Sequence, residues 1–139
     1  MNNDDIQLLA LISNMHEKKF ENIMKLSNLE RYEYLIRKVA DFEEIYLIYG
    51  NLAEMYIANI NGVDCPLVFP EKGFAEIFTS KNFNSKVRKV DLYQFLDWLG
   101  KDEEDSLKIA VFPDINNNAS IVNASKLRAD LLEECKQYE

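Results

Sequence analysis

The stretch Glu44-Ile-Tyr-Leu-Ile-Tyr-Gly-Asn-Leu-Ala-Glu-Met-Tyr-Ile-Ala-Asn-Ile-Asn-Gly-Val-Asp-Cys-Pro-Leu-Val-Phe69 decides the fold class. Ile45 to Tyr49 is β-branched and aromatic without polar alternation, the pattern of a strand covered on both faces. Gly50-Asn51 breaks that strand, and residues 53–60 supply a second. Asn61-Gly62 then forms the strongest hairpin signal in the chain, because both central residues of such a turn need positive φ. Val63 to Phe69 returns as a third strand and completes a meander. Pro66 has no N–H to give a ladder, which predicts an edge strand or a bulge at that point.

Working toward the N-terminus, Ser27-Asn28-Leu29-Glu30 is a capping box: the hydroxyl satisfies a first-turn N–H and the carboxylate reaches back. Leu29, Tyr32, Leu35, Ile36 and Val39 form one apolar stripe, so a helix is predicted over Asn28–Ala40. Leu8, Leu11, Ile12 and Met15, then Phe20, Ile23 and Met24, put further helix within Asp4–Lys25, in one piece or two.

Toward the C-terminus, Phe74, Ile77 and Phe78 predict a short helix and Val87–Val90 a short strand. Asp91 caps a helix whose apolar face is Leu92, Phe95, Leu96 and Leu99 and whose stop is Gly100. Leu107–Phe112 reads as a buried strand closed by Pro113, Asp114–Asn118 as a turn, and Ser120–Val122 as a brief strand. Leu127, Leu131, Leu132 and Cys135 mark a final helix. Strands that are first grouped and then interleaved with helices give an α+β fold. The expected architecture is a mixed, mainly antiparallel sheet of about five strands with helices packed on it. Residues 1–26 are an N-terminal helical extension and residues 27–139 a single domain.

Composition limits the chemistry. The chain has 139 residues, a net charge of −8, one histidine (His16) and two cysteines (Cys65 and Cys135). Three scattered soft ligands cannot build a structural zinc site. A Ser–His or Cys–His pair would depend on His16 alone. The four glycines are too dispersed for a phosphate-binding loop. No catalytic, cofactor-binding or metal residue is therefore assigned, and no cofactor is expected.

The acidic start Met1-Asn2-Asn3-Asp4-Asp5 lacks the positive region of a secretory signal, and the apolar run from Ile6 to Ile12 is too short to span a bilayer. With two unpaired cysteines, these features read as cytoplasmic and without a membrane role.

Asp114, Asn116 and Asn118 imitate half of a calcium loop, but Ala119 and Ser125 stand where the bend glycine and the bidentate glutamate belong. Lys81, Lys86, Arg88 and Lys89, with Phe83 among them, form the only basic cluster. Against a charge of −8, it does not make a nucleic-acid surface. The acidic run Asp102, Glu103, Glu104 and Asp105 is a candidate contact for a basic protein partner. Tyr34 lies off its helix stripe and Tyr56 beside Glu54, so both are candidate contact residues as well.

The run from Glu30 through Arg31, Tyr32 and Glu33 to Asp41-Phe-Glu-Glu44 resembles a bacterial family of small cytosolic proteins known only as a domain of unknown function of the 2750 type. Pro66–Pro70, Phe74-Ala-Glu76, Phe95–Leu99 and Val111-Phe-Pro113 extend the likeness from about Leu29 to the C-terminus. Tyr46 stands where that family usually carries Trp. The element order is also similar to the enhanced-serine-sensitivity-type domain. Both resemblances imply an α+β fold, and neither brings a reaction, cofactor or catalytic residue.

The expected function is a non-enzymatic intracellular interaction module, of an immunity or regulatory kind, that binds a basic protein. The alternative is a small-ligand-binding protein or enzyme using carboxylates and tyrosines in a cleft. Homodimerisation through the edge strand near Pro66 or the N-terminal helix can coexist with the interaction module.

Overall fold

A computed structural model describes residue 6, residues 17–82 and residues 84–139. The elements run α1 (Glu17–Met24), α2 (Asn28–Phe42), β1 (Glu44–Gly50), β2 (Ile57–Ile60), β3 (Val63–Phe69) and α3 (Lys72–Lys81). They continue with β4 (Ser85–Asp91), α4 (Leu92–Gly100), β5 (Lys108–Val111), β6 (Ser120–Asn123), α5 (Ala124–Cys135) and a 3-10 turn at Lys136–Tyr138. This is an α+β fold. The first half of the expected N-terminal helix, with His16, lies outside the described residues, as does Phe83.

Both predicted caps form. The Ser27 hydroxyl accepts from the Glu30 N–H and the Glu30 carboxylate from the Ser27 N–H. Such a cap stabilises by about 1 kcal/mol. Asp91 accepts from the N–H groups of Tyr93 and Gln94 and starts α4. At the hairpin, Asn61 and Gly62 take φ of 52° and 85°, which pins the β2–β3 register at Ile60↔Val63.

The sheet is mixed, with strand order β4-β1-β3-β5-β6 and β2 paired to the first half of β3. Neighbours are antiparallel except β3 and β5, which run parallel with Leu67 opposite Ala110 and Val68 opposite Val111. The expected meander is therefore corrected. β1 lies beside β3, and the segment leading into β2 returns along the end of β1 through the Tyr49↔Met55 bridge, flanked by a Gly50 N–H to Glu54 O and a Tyr56 N–H to Ile48 O bond. From Ile57 on, the chain leaves β1 and pairs with β3.

The Pro66 expectation is also corrected, for β3 is the middle strand. Its partner changes from β2 over residues 63–66 to β1 at Val68 and Phe69, so Pro66 stands at that handover. A residue without an N–H is tolerated where a ladder is interrupted.

The core joins Leu35 and Val39 of α2 to Ile45 and Leu47 of β1, Val68 of β3, Phe95 of α4, Ile109 of β5 and Leu127 and Leu131 of α5. Two stripe residues fall outside it. Leu29 is 62% exposed, and Leu132 faces solvent. In the first turn of α2 the inward position belongs to Arg31, only 2% exposed, which repeats with Leu35 and Val39 at a spacing of four. Its guanidinium donates from Nε to the carbonyl of Phe112 (3.0 Å), from Nη1 to that of Leu26 (2.6 Å), and from Nη2 to Asn118 O (2.9 Å) and to the Asn28 side chain. One buried cation thereby ties the start of α2 to the loop that follows β5.

Candidate interaction surface

Three helix termini converge on one side of the fold. The last turn of α2 ends in Asp41, Phe42 and Glu43, α4 begins after Asp91 with Leu92 and Tyr93, and α5 ends with Glu134 and Cys135 before Tyr138 and Glu139. Their joining is set by backbone bonding. Glu43 takes a left-handed conformation (φ 59°) as the C-cap of α2, donates to Val39 O, and accepts from Leu92 N–H at 3.0 Å. The Tyr93 hydroxyl then reaches the Glu43 carboxylate at 3.4 Å.

The face is both aromatic and acidic. Its two rings, Tyr93 and Tyr138, are 55% and 50% exposed, while Phe42 lies on the flank of α2 that carries Tyr34 and Lys38. Around them stand Asp41, Glu43, Asp91, Glu134 and Glu139, and the local potential is felt by each titrating neighbour. Glu43 is the main cause of the upward shift of the Tyr93 phenol, burial and then Asp41 that of the Tyr138 phenol. Burial first, then Glu43, Glu139 and Glu134, push the Cys135 thiol up, so it stays protonated and unreactive near neutral pH. Arg37 works the other way at Tyr138, and Lys38 stacks over Phe42 at 4.8 Å from the ring centre. Nothing in the sequence around Asp41 and Glu43 announces that Tyr93 and Tyr138 lie beside them.

Glu43 occupies a conformation that favours glycine at a position glycine commonly fills. Glu43→Gly is expected to raise unfolding stability by about 1 kcal/mol, by removing the Cβ penalty of the left-handed backbone. Urea denaturation checks this, and a loss of stability would show that the contacts of the side chain outweigh its strain.

The residues singled out from sequence are dispersed. Tyr34 is half-buried: its hydroxyl donates to Glu71, which also pairs with Lys19 of α1, and its ring lies 5.9 Å from that of Phe112. Tyr56 is half-buried and packs edge-on against Phe78 at 5.6 Å. Asp102 accepts from the backbone of Ser106 and Leu107, and Asp105 from the side chains of Asn123 and Ser125. Two of the four acids therefore hold their own loop against the start of α5, while Glu103 and Glu104 project into solvent. The Asp114 carboxylate is likewise turned inward, onto the N–H groups of Asn116 and Asn118 and the Asn118 amide. Among the described residues, no three His, Cys, Asp or Glu side chains are grouped to hold a metal ion, and no helix is long and apolar enough to cross a membrane.

A half-open cleft lies on another side of the fold. It opens just past the carboxyl ends of the parallel pair β3 and β5, holds about 180 Å3, and has walls of Phe20, Met24, Phe69, Phe74, Ile77 and Phe78. Lys81 and Asp114 stand at its rim. Asn82 and Asn117 also line it, so its lining is mixed, with one carboxylate, Asp114, instead of the convergent pair that acid–base chemistry would need.

Neither a curated protein nor a solved structure matches the chain. A family model described as a protein of unknown function, DUF2750, matches residues 32–131, which span α2 from Tyr32 through most of α5, and the chain belongs to that family.

Proposed function

We propose that this protein is a non-enzymatic binding module, of an immunity or regulatory kind, whose acidic aromatic face receives a basic protein partner. The observation that carries the reading is the exposure of Tyr93 and Tyr138 among carboxylates drawn from three helix termini. Aromatic rings supply contact area at little entropic cost, and surrounding charge steers a partner of opposite sign. The chain's net charge of −8 adds long-range attraction for such a partner. Glu103 and Glu104 form a second acidic element at the other end of α5.

The test compares capture by immobilised full-length protein and by two charge-reversed variants. From an extract of the source organism, wild type is expected to retain a basic protein at low salt. The purified partner should bind the Glu43→Lys/Tyr93→Ala variant at least ~10-fold more weakly, equivalent to about 1.4 kcal/mol. The Glu103→Lys/Glu104→Lys variant should lose much less. Equal affinity for wild type and the Glu43/Tyr93 variant would refute this face as the contact, and weakening confined to the Glu103/Glu104 variant would move the contact to the loop.

A further inference from the structure

We infer that the cleft past the carboxyl ends of β3 and β5 is a binding site for a small aromatic monocarboxylate. The site shares no residue with the acidic face, so it stands or falls independently of the proposed partner.

Size comes first. A cavity of about 150 Å3 is large enough to admit benzene. The cleft here, at about 180 Å3, has room for one ring and a short substituent. Its walls favour a ring. Phe69 and Phe78 lie 6.0 Å apart centre to centre and tilted, and Phe74 meets Phe112 edge-on at 4.9 Å behind them. Such faces and edges accept another aromatic in the same tilted or T-shaped geometry.

Charge at the rim selects the substituent. Lys81 is exposed, and among the described residues its ammonium makes no ion pair. The other charged rim group, Asp114, spends its oxygens on Asn116 and Asn118 within its own loop. The cation is therefore the group left to recruit a ligand, and it suits a carboxylate held at the mouth while the ring fills the interior. The fourth wall is α1, through Phe20 and Met24, and it lies outside residues 32–131. Lys19 of α1 is pinned to Glu71, which holds that wall in place beside the start of α3.

The probe is phenylacetate, with phenylacetamide as its uncharged counterpart, titrated into the full chain by calorimetry and followed by NMR. Saturable one-to-one binding of phenylacetate is expected, with shift changes centred on Phe20, Phe69 and Ile77 and weaker binding of the amide. Lys81→Met should weaken phenylacetate at least ~10-fold and leave phenylacetamide unchanged, as expected for loss of a charge-assisted contact. Because Lys81 is exposed, this variant keeps the fold. Met24→Trp, which places a ring in the cavity, should abolish binding of both. Absence of saturable binding, equal affinity of acid and amide, or a Lys81→Met variant that binds phenylacetate like wild type would each overturn the assignment.

Discussion

Arg31→Met is expected to cost about 3 kcal/mol of unfolding stability, from leaving carbonyls without donors in the interior. The carbonyls of Phe112, Leu26 and Asn118 all accept from this one guanidinium, and the Phe112 bond is fully buried. Burial lowers the guanidinium's pKa, with Asp114 opposing, so the side chain stays charged and its desolvation is a standing cost. Methionine removes that cost but supplies no donor to any of the three carbonyls. The unmet acceptors outweigh the relief, since each stranded buried group costs roughly 1–3 kcal/mol. Arg31→Lys should recover only part of the loss, because a compact ammonium cannot span acceptors set around a planar fork. Equilibrium denaturation in guanidinium chloride measures both, and a loss below about 1 kcal/mol for Arg31→Met would show that water replaces the guanidinium at those carbonyls.

At Phe112 the expected result is an inversion. Phe112→Ala should cost about 3–5 kcal/mol, the usual range for emptying a buried aromatic site. The ring is fully buried and packs against Phe74, Phe69 and Tyr34. Its backbone, however, is left-handed, with φ of 52°, immediately after the last β3–β5 pair. Glycine ordinarily destabilises a regular element by roughly 0.5–1 kcal/mol more than alanine. Here Phe112→Gly should equal or exceed Phe112→Ala in stability, because glycine loses the same ring while relieving the Cβ penalty. Parallel melts of the two variants decide it: a glycine variant clearly less stable than the alanine variant would mean the turn carries no such strain.

What the chain made legible was what neighbouring residues decide between themselves. Ser27 with Glu30, Asp91 with its two following N–H groups, and Asn61-Gly62 each complete a structure within four residues, so their reading needed no knowledge of the rest. Strand order was different. β1 pairs with β3 across an intervening strand, and β5 inserts parallel beside β3, choices made by packing between distant segments. Arg31 was hidden by its charge. Its sequence neighbours Glu30 and Glu33 suggest a solvent face, and only the carbonyls supplied by residues 112 and 118 make an inward position affordable. Leu29 then turns outward by the same rotation.

The acidic loop shows a similar limit. A run of four carboxylates reads as uniform, yet Asp102 and Asp105 serve as local staples, and only the neighbouring Ser106, Asn123 and Ser125 reveal that division. The face with Tyr93 and Tyr138 was out of reach because it belongs to no segment.

The central place of β3 bears on how the molecule is made. Emerging from the ribosome, β3 can close its hairpin with β2 at once, yet the strand that seals its other flank, β5, is translated roughly forty residues later. Over that interval Leu67 and Val68 sit on a bare rim whose unpaired amides invite other nascent chains. Synthesis of α3, β4 and α4 therefore sets how long that rim stays uncovered.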